Sequence, residues 1–210
     1  MKVTGFIIDD FIWDEFDLPL NEDVDPAEYL SIDEVRAEVV KRINELNKLG
    51  YSVHPEQIVY YELRDHKRTT AGLQPVADHE YLFVMSKYAA RRKNEQYFDM
   101  IIYHELCHLL QIEYLFNGDF IGYVNNKLLP DPDKAEYVHS VLRVAGGHTP
   151  LWKMFVNKLN RILAIEPPIA ATLESSVETD IFSESLVQPE YKDFEFDGFF
   201  DYFPEVMTED

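Results

Sequence analysis

Hydrophobic residues recur at steps of three and four along the segment from residue 31 to residue 49. This spacing is typical of an amphipathic helix that turns one apolar stripe toward a core. Ser31 followed by Glu34 forms a capping-box pattern at the start, and Gly50 suits the end. The pattern therefore predicts a helix over 31–49. Its apolar stripe consists of Ile32, Val35, Val39, Ile43, Leu46 and Leu49.

Two short runs further along the chain favour strands, because they are rich in β-branched and aromatic residues. They are Gln57–Leu63 and Tyr81–Ser86. The segment 68–79 between them, RTTAGLQPVADH, has the composition of turns and loops. We therefore predict two strands joined by an irregular connection.

The most apolar part of the chain predicts a second helix over 96–116, with Gly118 just past its end. A third helix is predicted to have Thr149 as its N-cap and Pro150 at its first position, and to close before two prolines at 167–168. The apolar face of the second helix comprises Phe98, Ile101, Ile102, Leu109, Ile112, Leu115 and Phe116. The stripe of the third comprises Trp152, Phe155, Val156, Leu159, Ile162 and Leu163.

An HExxH pentapeptide lies inside the second predicted helix. Four residues advance a helix by about 400°, so His104 and His108 project from nearly the same side, one turn apart. Two imidazoles in that arrangement can bind one Zn²⁺. Glu105 lies about 100° round the helix from His104, where it can reach a metal-activated water rather than the metal itself. The motif therefore predicts a zinc hydrolase site with Glu105 as general base.

Catalytic zinc usually takes three protein ligands and leaves one position open, so a third ligand is needed. His148 is favoured because it immediately precedes the N-cap of the third helix, which fixes its position. Gly146 and Gly147 before it allow the backbone to approach the site closely. Glu136 and His139, on a short predicted helix, remain alternatives.

Cys107 is the single cysteine of the chain. One cysteine can form neither an internal disulfide nor a Cys-based zinc ribbon, which fits a reducing compartment. Ligation by Cys107 together with its neighbours in the motif would be strained, so we interpret it as a small buried apolar side chain. No apolar run approaches the ~20 residues that span a bilayer, and we recognise no secretory signal. We therefore expect an intracellular, cytoplasmic protein without membrane contact.

The net charge of −20 is concentrated at the two ends of the chain. Residues 1–30 contain nine acids and one Lys, and residues 166–210 contain thirteen acids and one Lys. Residues 31–165 contain seventeen acids and seventeen bases, so the central part is neutral. Because phosphate contact normally needs a basic surface, charge gives no support to nucleic acid as a partner.

The C-terminal end combines acids with aromatic residues, seven of them in the thirteen residues 191–203. Three interpretations stay open. The tail is a flexible solvating segment, it docks in cis on the domain and covers the cleft, or it binds a partner. Docking suits the alternation better than plain disorder does, because so many aromatic side chains are costly to leave in water.

Two runs of the sequence resemble the SprT-like zinc metallopeptidases, which include the Spartan-type proteases that act on proteins crosslinked to DNA. They are Phe98–Leu110 (FDMIIYHELCHLL) and Gly147–Phe155 (GHTPLWKMF). The turn at 68–72 and the strand end at 84–86 extend the likeness. Together they cover about residues 31–165 in the family's order.

The resemblance implies one zinc carried by His104, His108 and His148, with Glu105 as the catalytic base. It also implies an α+β, zincin-like fold in which a helix and a small antiparallel sheet pack beside the HExxH helix. The domain so defined spans 31–165, between an acidic N-terminal segment and the acidic-aromatic tail. The chain departs from the family in a longer segment before His148, in Thr149 where a glycine is usual, and in lacking a Cys-rich ribbon.

We therefore expect a zinc metalloendopeptidase that cleaves peptide bonds of a protein or peptide substrate. A second electrophile often helps to hold the oxyanion in such reactions, and Tyr123, Tyr137 and Arg143 are equal candidates. The alternative function is a non-catalytic metal-binding interaction protein that acts through its acidic ends, for example as a mimic of nucleic acid. A role in DNA–protein crosslink repair does not carry over, because the family's DNA-recruiting ribbon is missing.

Overall fold

The computed structural model describes residues 25–64, 71–87, 89–116, 118, 150–166 and 168–169, with the backbone alone for residues 115, 116 and 150. Three α-helices and three strands form in these residues. The helices are α1 (Ile32–Lys48), α2 (Phe98–Phe116) and α3 (Pro150–Leu163), and the strands are β1 (Ile58–Arg64), β2 (Ala71–Ala77) and β3 (Glu80–Ser86). Short 3₁₀ turns lie at Pro26–Glu28, Pro55–Gln57 and Arg92–Tyr97. The expected α+β class is therefore confirmed.

Helix α1 begins and ends within a residue or two of its predicted bounds. The Glu34 N–H donates to Ser31 Oγ at 3.3 Å and the Ser31 N–H donates to Glu34 Oε2 at 2.8 Å, which is the predicted capping box. Gly50 follows with a φ of +94°, a conformation that glycine adopts without strain. The middle of the apolar stripe is buried, but Ile32 and Leu49 are exposed because they lie at its two ends.

The three strands form a mixed sheet in the order β1-β3-β2. Strand β2 pairs antiparallel with β3, whereas β1 pairs parallel with β3. The expected antiparallel sheet is therefore wrong for one of its two pairings. The reason is that β2 lies between β1 and β3 in the chain and runs opposite to both. Two reversals of direction leave β1 and β3 pointing the same way.

Strand β2 lies in the segment predicted to be an irregular connection, and that prediction is wrong. Gly72 and Pro75 suggested a breaker, yet they pair with Val84 and Tyr81 of β3. Proline is tolerated in a strand at the edge of a sheet, and β2 is the outer strand on its side of the described sheet. Strand β2 also packs against α2, so it joins the sheet to the helix that carries the HExxH motif.

A buried arginine joins α1 to the start of α2. Arg42 donates to Asp99 Oδ1 through Nε at 2.9 Å and Nη2 at 2.6 Å. Its Nη1 donates to Glu38 Oε2 at 2.7 Å. A guanidinium so deeply buried is stable only when it is paired. One turn further along α2, the Tyr103 hydroxyl donates to Glu45 of α1, which fixes the two helices in register.

Helix α3 packs its apolar face on α2 and ends earlier than predicted. It stops at Leu163, where Ala164 adopts a φ of +50°, before the prolines at 167–168 are reached. Ile162, predicted to lie in the stripe, is 46% exposed. The side chain of Asn160 donates to the Ile169 carbonyl and accepts from its N–H, which holds the outgoing chain against the helix. Four stripe residues are buried as predicted: Trp152, Phe155, Val156 and Leu159.

No helix in the described part of the chain is long and apolar enough to cross a membrane.

Candidate metal centre

The two histidines of the HExxH motif lie in the middle of α2, one helical turn apart on one side. Their ring centroids are 5.2 Å apart and the ring planes meet at 66°. His108 is buried and His104 is half-buried. The helix therefore brings together two of the predicted metal ligands in the way that the spacing requires.

The distance between the two rings can be compared with a real zinc site. Around a tetrahedral zinc with Zn–N bonds of about 2.0–2.1 Å, two imidazole centroids lie roughly 5 Å apart. The observed 5.2 Å between His104 and His108 matches this value. Imidazole nitrogens are also the donors that zinc prefers. The chemistry of the two residues suits a shared zinc ion, and the separation of their rings is compatible with one.

Glu105 and Cys107 lie on the same helix between the two histidines. Glu105 is only 6% exposed, so its side chain is buried. Cys107 is fully buried, which confirms the prediction of a small apolar side chain. Burial, and then the charge of Glu105, raise the pKa of the Cys107 thiol well above its ordinary value. Without a metal nearby, Cys107 is therefore a neutral thiol at neutral pH.

Trp152 is the part of the site that sequence reasoning missed. It lies in the first turn of α3, and its ring centroid is 4.8 Å from that of His104 and 5.5 Å from that of His108. Its indole Nε1 donates to the carbonyl oxygen of His104 at 3.3 Å. In the sequence, Trp152 belongs to the apolar stripe of the third helix and to the run Gly147–Phe155, and neither pattern predicts a contact with the histidines. An aromatic residue four positions after His148 was the one available signal of proximity to the site.

The remaining predicted site residues lie outside the described part of the chain. They are the favoured third ligand His148, its alternatives Glu136 and His139, and the oxyanion candidates Tyr123, Tyr137 and Arg143. Among the described residues, no group of three or more His, Cys, Asp or Glu side chains is arranged to hold a metal. The described residues therefore include two of the predicted ligands and the predicted base, and the predicted third ligand lies outside them.

Comparison of the chain with protein-family models, with curated proteins and with solved structures finds no match. A proposal for the function therefore has to rest on the residues of the site.

Proposed function

We propose that this protein is a zinc-dependent metallopeptidase that hydrolyses peptide bonds, with Glu105 as its general base. The observation that carries the proposal is the 5.2 Å between the ring centroids of His104 and His108, which suits two imidazoles that share one zinc ion. Glu105, buried beside them, supplies a carboxylate that a hydrolytic zinc site needs and a structural zinc site does not. The sequence resemblance to SprT-like peptidases supports the same class of activity.

His148 remains the proposed third ligand, and the position of α3 supports it. Trp152 in the first turn of α3 contacts both histidine rings. His148 precedes Pro150 by two residues, so covalent geometry keeps its Cα within about 7.6 Å of the Pro150 Cα. Glu136 and His139 are separated from α3 by more than ten residues, so connectivity to α3 sets no comparable limit on their distance from Trp152. Chain connectivity therefore favours His148 over the two alternatives.

The chemistry divides between the metal and the side chains. Zinc, when bound, acts as a Lewis acid that makes a water more acidic and polarises the scissile carbonyl. Glu105 takes a proton from the attacking water and later delivers it to the leaving amine nitrogen. His104 and His108 act as neutral imidazoles when they bind a metal, and the orientation of their rings fixes where the reaction takes place. Tyr123, Tyr137 and Arg143 are the candidates for holding the oxyanion.

The architecture around α2 suits this chemistry, and we propose that the domain is zincin-like. The helix that carries the motif packs against strand β2 on one side and is tied to α1 on another. Catalytic groups on a helix held in this way keep their relative positions more precisely than groups on loops. The mixed sheet departs from the antiparallel sheet that the resemblance implies.

The test is the zinc content of the full chain, purified without added metal, together with its activity on an unstructured protein such as casein. We expect one zinc per chain and measurable hydrolysis. Glu105→Gln should keep the zinc and lose the hydrolysis, and His148→Ala should lose both. The matched control is His54→Ala, which removes an exposed histidine outside the motif and should change neither.

Each outcome bears on a different part of the proposal. If His148→Ala retains its zinc, the third ligand is Glu136 or His139, and the same assay on their alanine variants identifies it. If Glu105→Gln keeps full activity, Glu105 is not the base. If the wild-type chain binds no zinc even when zinc is supplied, the proposal fails. The interaction protein acting through acidic ends would then be the better hypothesis.

A further inference from the structure

Three aromatic rings at the candidate metal centre form a closed cluster. The ring centroids of His104 and His108 are 5.2 Å apart, and that of Trp152 lies 4.8 and 5.5 Å from them. The indole stacks on His108 at 23° and meets His104 edge to face at 66°. Its N–H donates to the backbone of His104. Trp152 thus contacts both proposed ligands and is anchored to the helix that carries them.

These contacts have a consequence for metal binding. A histidine side chain samples several combinations of its two torsion angles. Zinc requires the one pair of combinations that points both rings at a common position. The two side chains lose their conformational entropy when the metal binds, unless folding has already restricted them to that pair. A rigid, buried indole against both rings removes that freedom in the folded chain, since Trp152 is only 3% exposed.

We propose that Trp152 is a positioning residue of the metal centre, which holds His104 and His108 in the orientation that binds zinc. Trp152 belongs to α3, whereas the histidines belong to α2, so it makes the geometry of the ligands depend on the docking of the two helices. Packing of α3 on α2 therefore orders the two proposed ligands together. This inference rests on the proposed zinc site.

The competing explanation is that Trp152 only fills the core, and Phe155 supplies the matched control. Phe155 lies one turn further along α3 and is also buried. It packs edge to face on Tyr51 and Tyr114, with ring centroids 6.0 and 6.5 Å away. Leucine at either position removes a buried ring from the same helix interface. Only the Trp152 variant removes a ring from the histidines.

The experiment measures zinc affinity of the full chain by competition with a chromophoric chelator, and thermal unfolding of the metal-free form. Trp152→Leu should weaken zinc binding by about 10-fold or more, as is usual when a group that orients a metal ligand is removed. Phe155→Leu should change the affinity by less than about 3-fold although both variants lower the melting temperature. Equal affinities in the two variants would show that Trp152 is core packing and would overturn the inference.

A second measurement avoids any dependence on folding of the leucine variants. The chain has two tryptophans, Trp13 and Trp152. In Trp13→Phe the only indole left is the one in contact with the histidines. Its fluorescence should be strongly quenched by Co²⁺, with saturation at one equivalent. Unchanged emission despite bound cobalt would contradict the proposed contact. Absence of any metal in the wild-type chain would instead remove the zinc site itself, and the inference with it.

Discussion

The hydroxyl of Tyr81, in the central strand of the described sheet, donates a hydrogen bond of 2.7 Å to the carboxylate of Glu113 on α2. The same carboxylate accepts from Gln57 Nε2 at 2.9 Å and pairs with His79 Nδ1 at 2.8 Å. Burial, and then the bond to Glu113, raise the pKa of Tyr81, so its hydroxyl stays a donor. One acid therefore ties the sheet and the hairpin turn to the helix that carries the candidate metal ligands.

Removing this acid should destabilise the fold. Glu113→Ala leaves the buried Tyr81 hydroxyl without its acceptor, and we expect a loss of about 2–4 kcal/mol in the free energy of unfolding. Urea denaturation of the full chain measures it. Glu80→Ala, which removes an exposed acid of β3, is the control and should cost less than about 0.5 kcal/mol. Equal effects of the two variants would mean that the Glu113 contacts contribute nothing.

A glycine just past α2 should be equally sensitive. Gly118 has a φ of +75°, and a Cβ added there would lie 1.9 Å from His79 Nδ1. Gly118→Ala therefore combines backbone strain with a clash, and we expect a loss of about 2 kcal/mol or more. Gly50→Ala is a matched control, because its φ is +94° but nothing lies within 4 Å. It should cost about 1 kcal/mol by strain alone.

The clash at Gly118 can be tested separately from the strain. His79→Ala removes the ring that the new Cβ would meet, so the double variant should recover part of the stability lost in Gly118→Ala. A double-mutant cycle from urea denaturation gives the coupling between the two positions. Strict additivity would mean that the backbone conformation alone makes the glycine necessary.

The capping box of α1 predicts a pH dependence. Hydrogen bonding to the Ser31 backbone N–H, and then to Arg92, lowers the pKa of Glu34 from 4.5 to about 2. Because this pKa is lower in the folded chain than in the unfolded one, its stabilising effect is present above pH 4.5 and is lost as the pH falls toward 2. The stability difference between the wild type and Glu34→Gln should therefore shrink over that interval in thermal melts.

The contribution of Arg92 to this shift can be isolated. Arg92 Nη2 lies 2.7 Å from Glu34 Oε1. Arg92→Gln should raise the pKa of Glu34, but not to its ordinary value, because the Ser31 N–H remains. An NMR titration of the Glu34 carboxyl measures this change directly. Lys93→Gln removes a neighbouring exposed cation and should leave the midpoint where it is.

Local patterns in the sequence are sufficient to predict most of the helices and two of the strands. The capping residues at Ser31 and Glu34 act within one turn, so α1 follows from its own residues. Strand β2 does not, because its Gly72 and Pro75 favour turns and only pairing with β3 overrides that preference. The antiparallel sheet implied by the resemblance is wrong for the pair β1 and β3, because β1 runs parallel to β3 while β2 runs antiparallel to it.

The sequence likewise predicts one part of the candidate site and not the other. The geometry of His104, Glu105 and His108 follows from helix periodicity, since all three belong to one element. The contact of Trp152 with the two histidines joins residues more than forty positions apart, and no periodic pattern encodes it. It depends on how α3 packs on α2, which is a property of the whole core.

The thiol of Cys107 provides a test of which residues of the motif bind the metal. Cys107 lies between Glu105 and His108 and is fully buried, packed among apolar residues of the core. Because no reagent can reach it in the folded chain, a thiol-specific label should leave native protein unmodified and react once the chain is unfolded in urea. Cys107→Ala should keep the zinc content of the wild type, because the proposed ligands are His104, His108 and His148.

The serine variant of the same residue separates packing from ligation. Cys107→Ser places a hydroxyl in an apolar site, and we expect it to cost about 1–3 kcal/mol in unfolding free energy while zinc content stays unchanged. Elemental analysis and urea denaturation of the alanine and serine variants decide the matter together. Loss of zinc in both variants, with stability retained in Cys107→Ala, would contradict the assignment and make the thiol part of the metal centre.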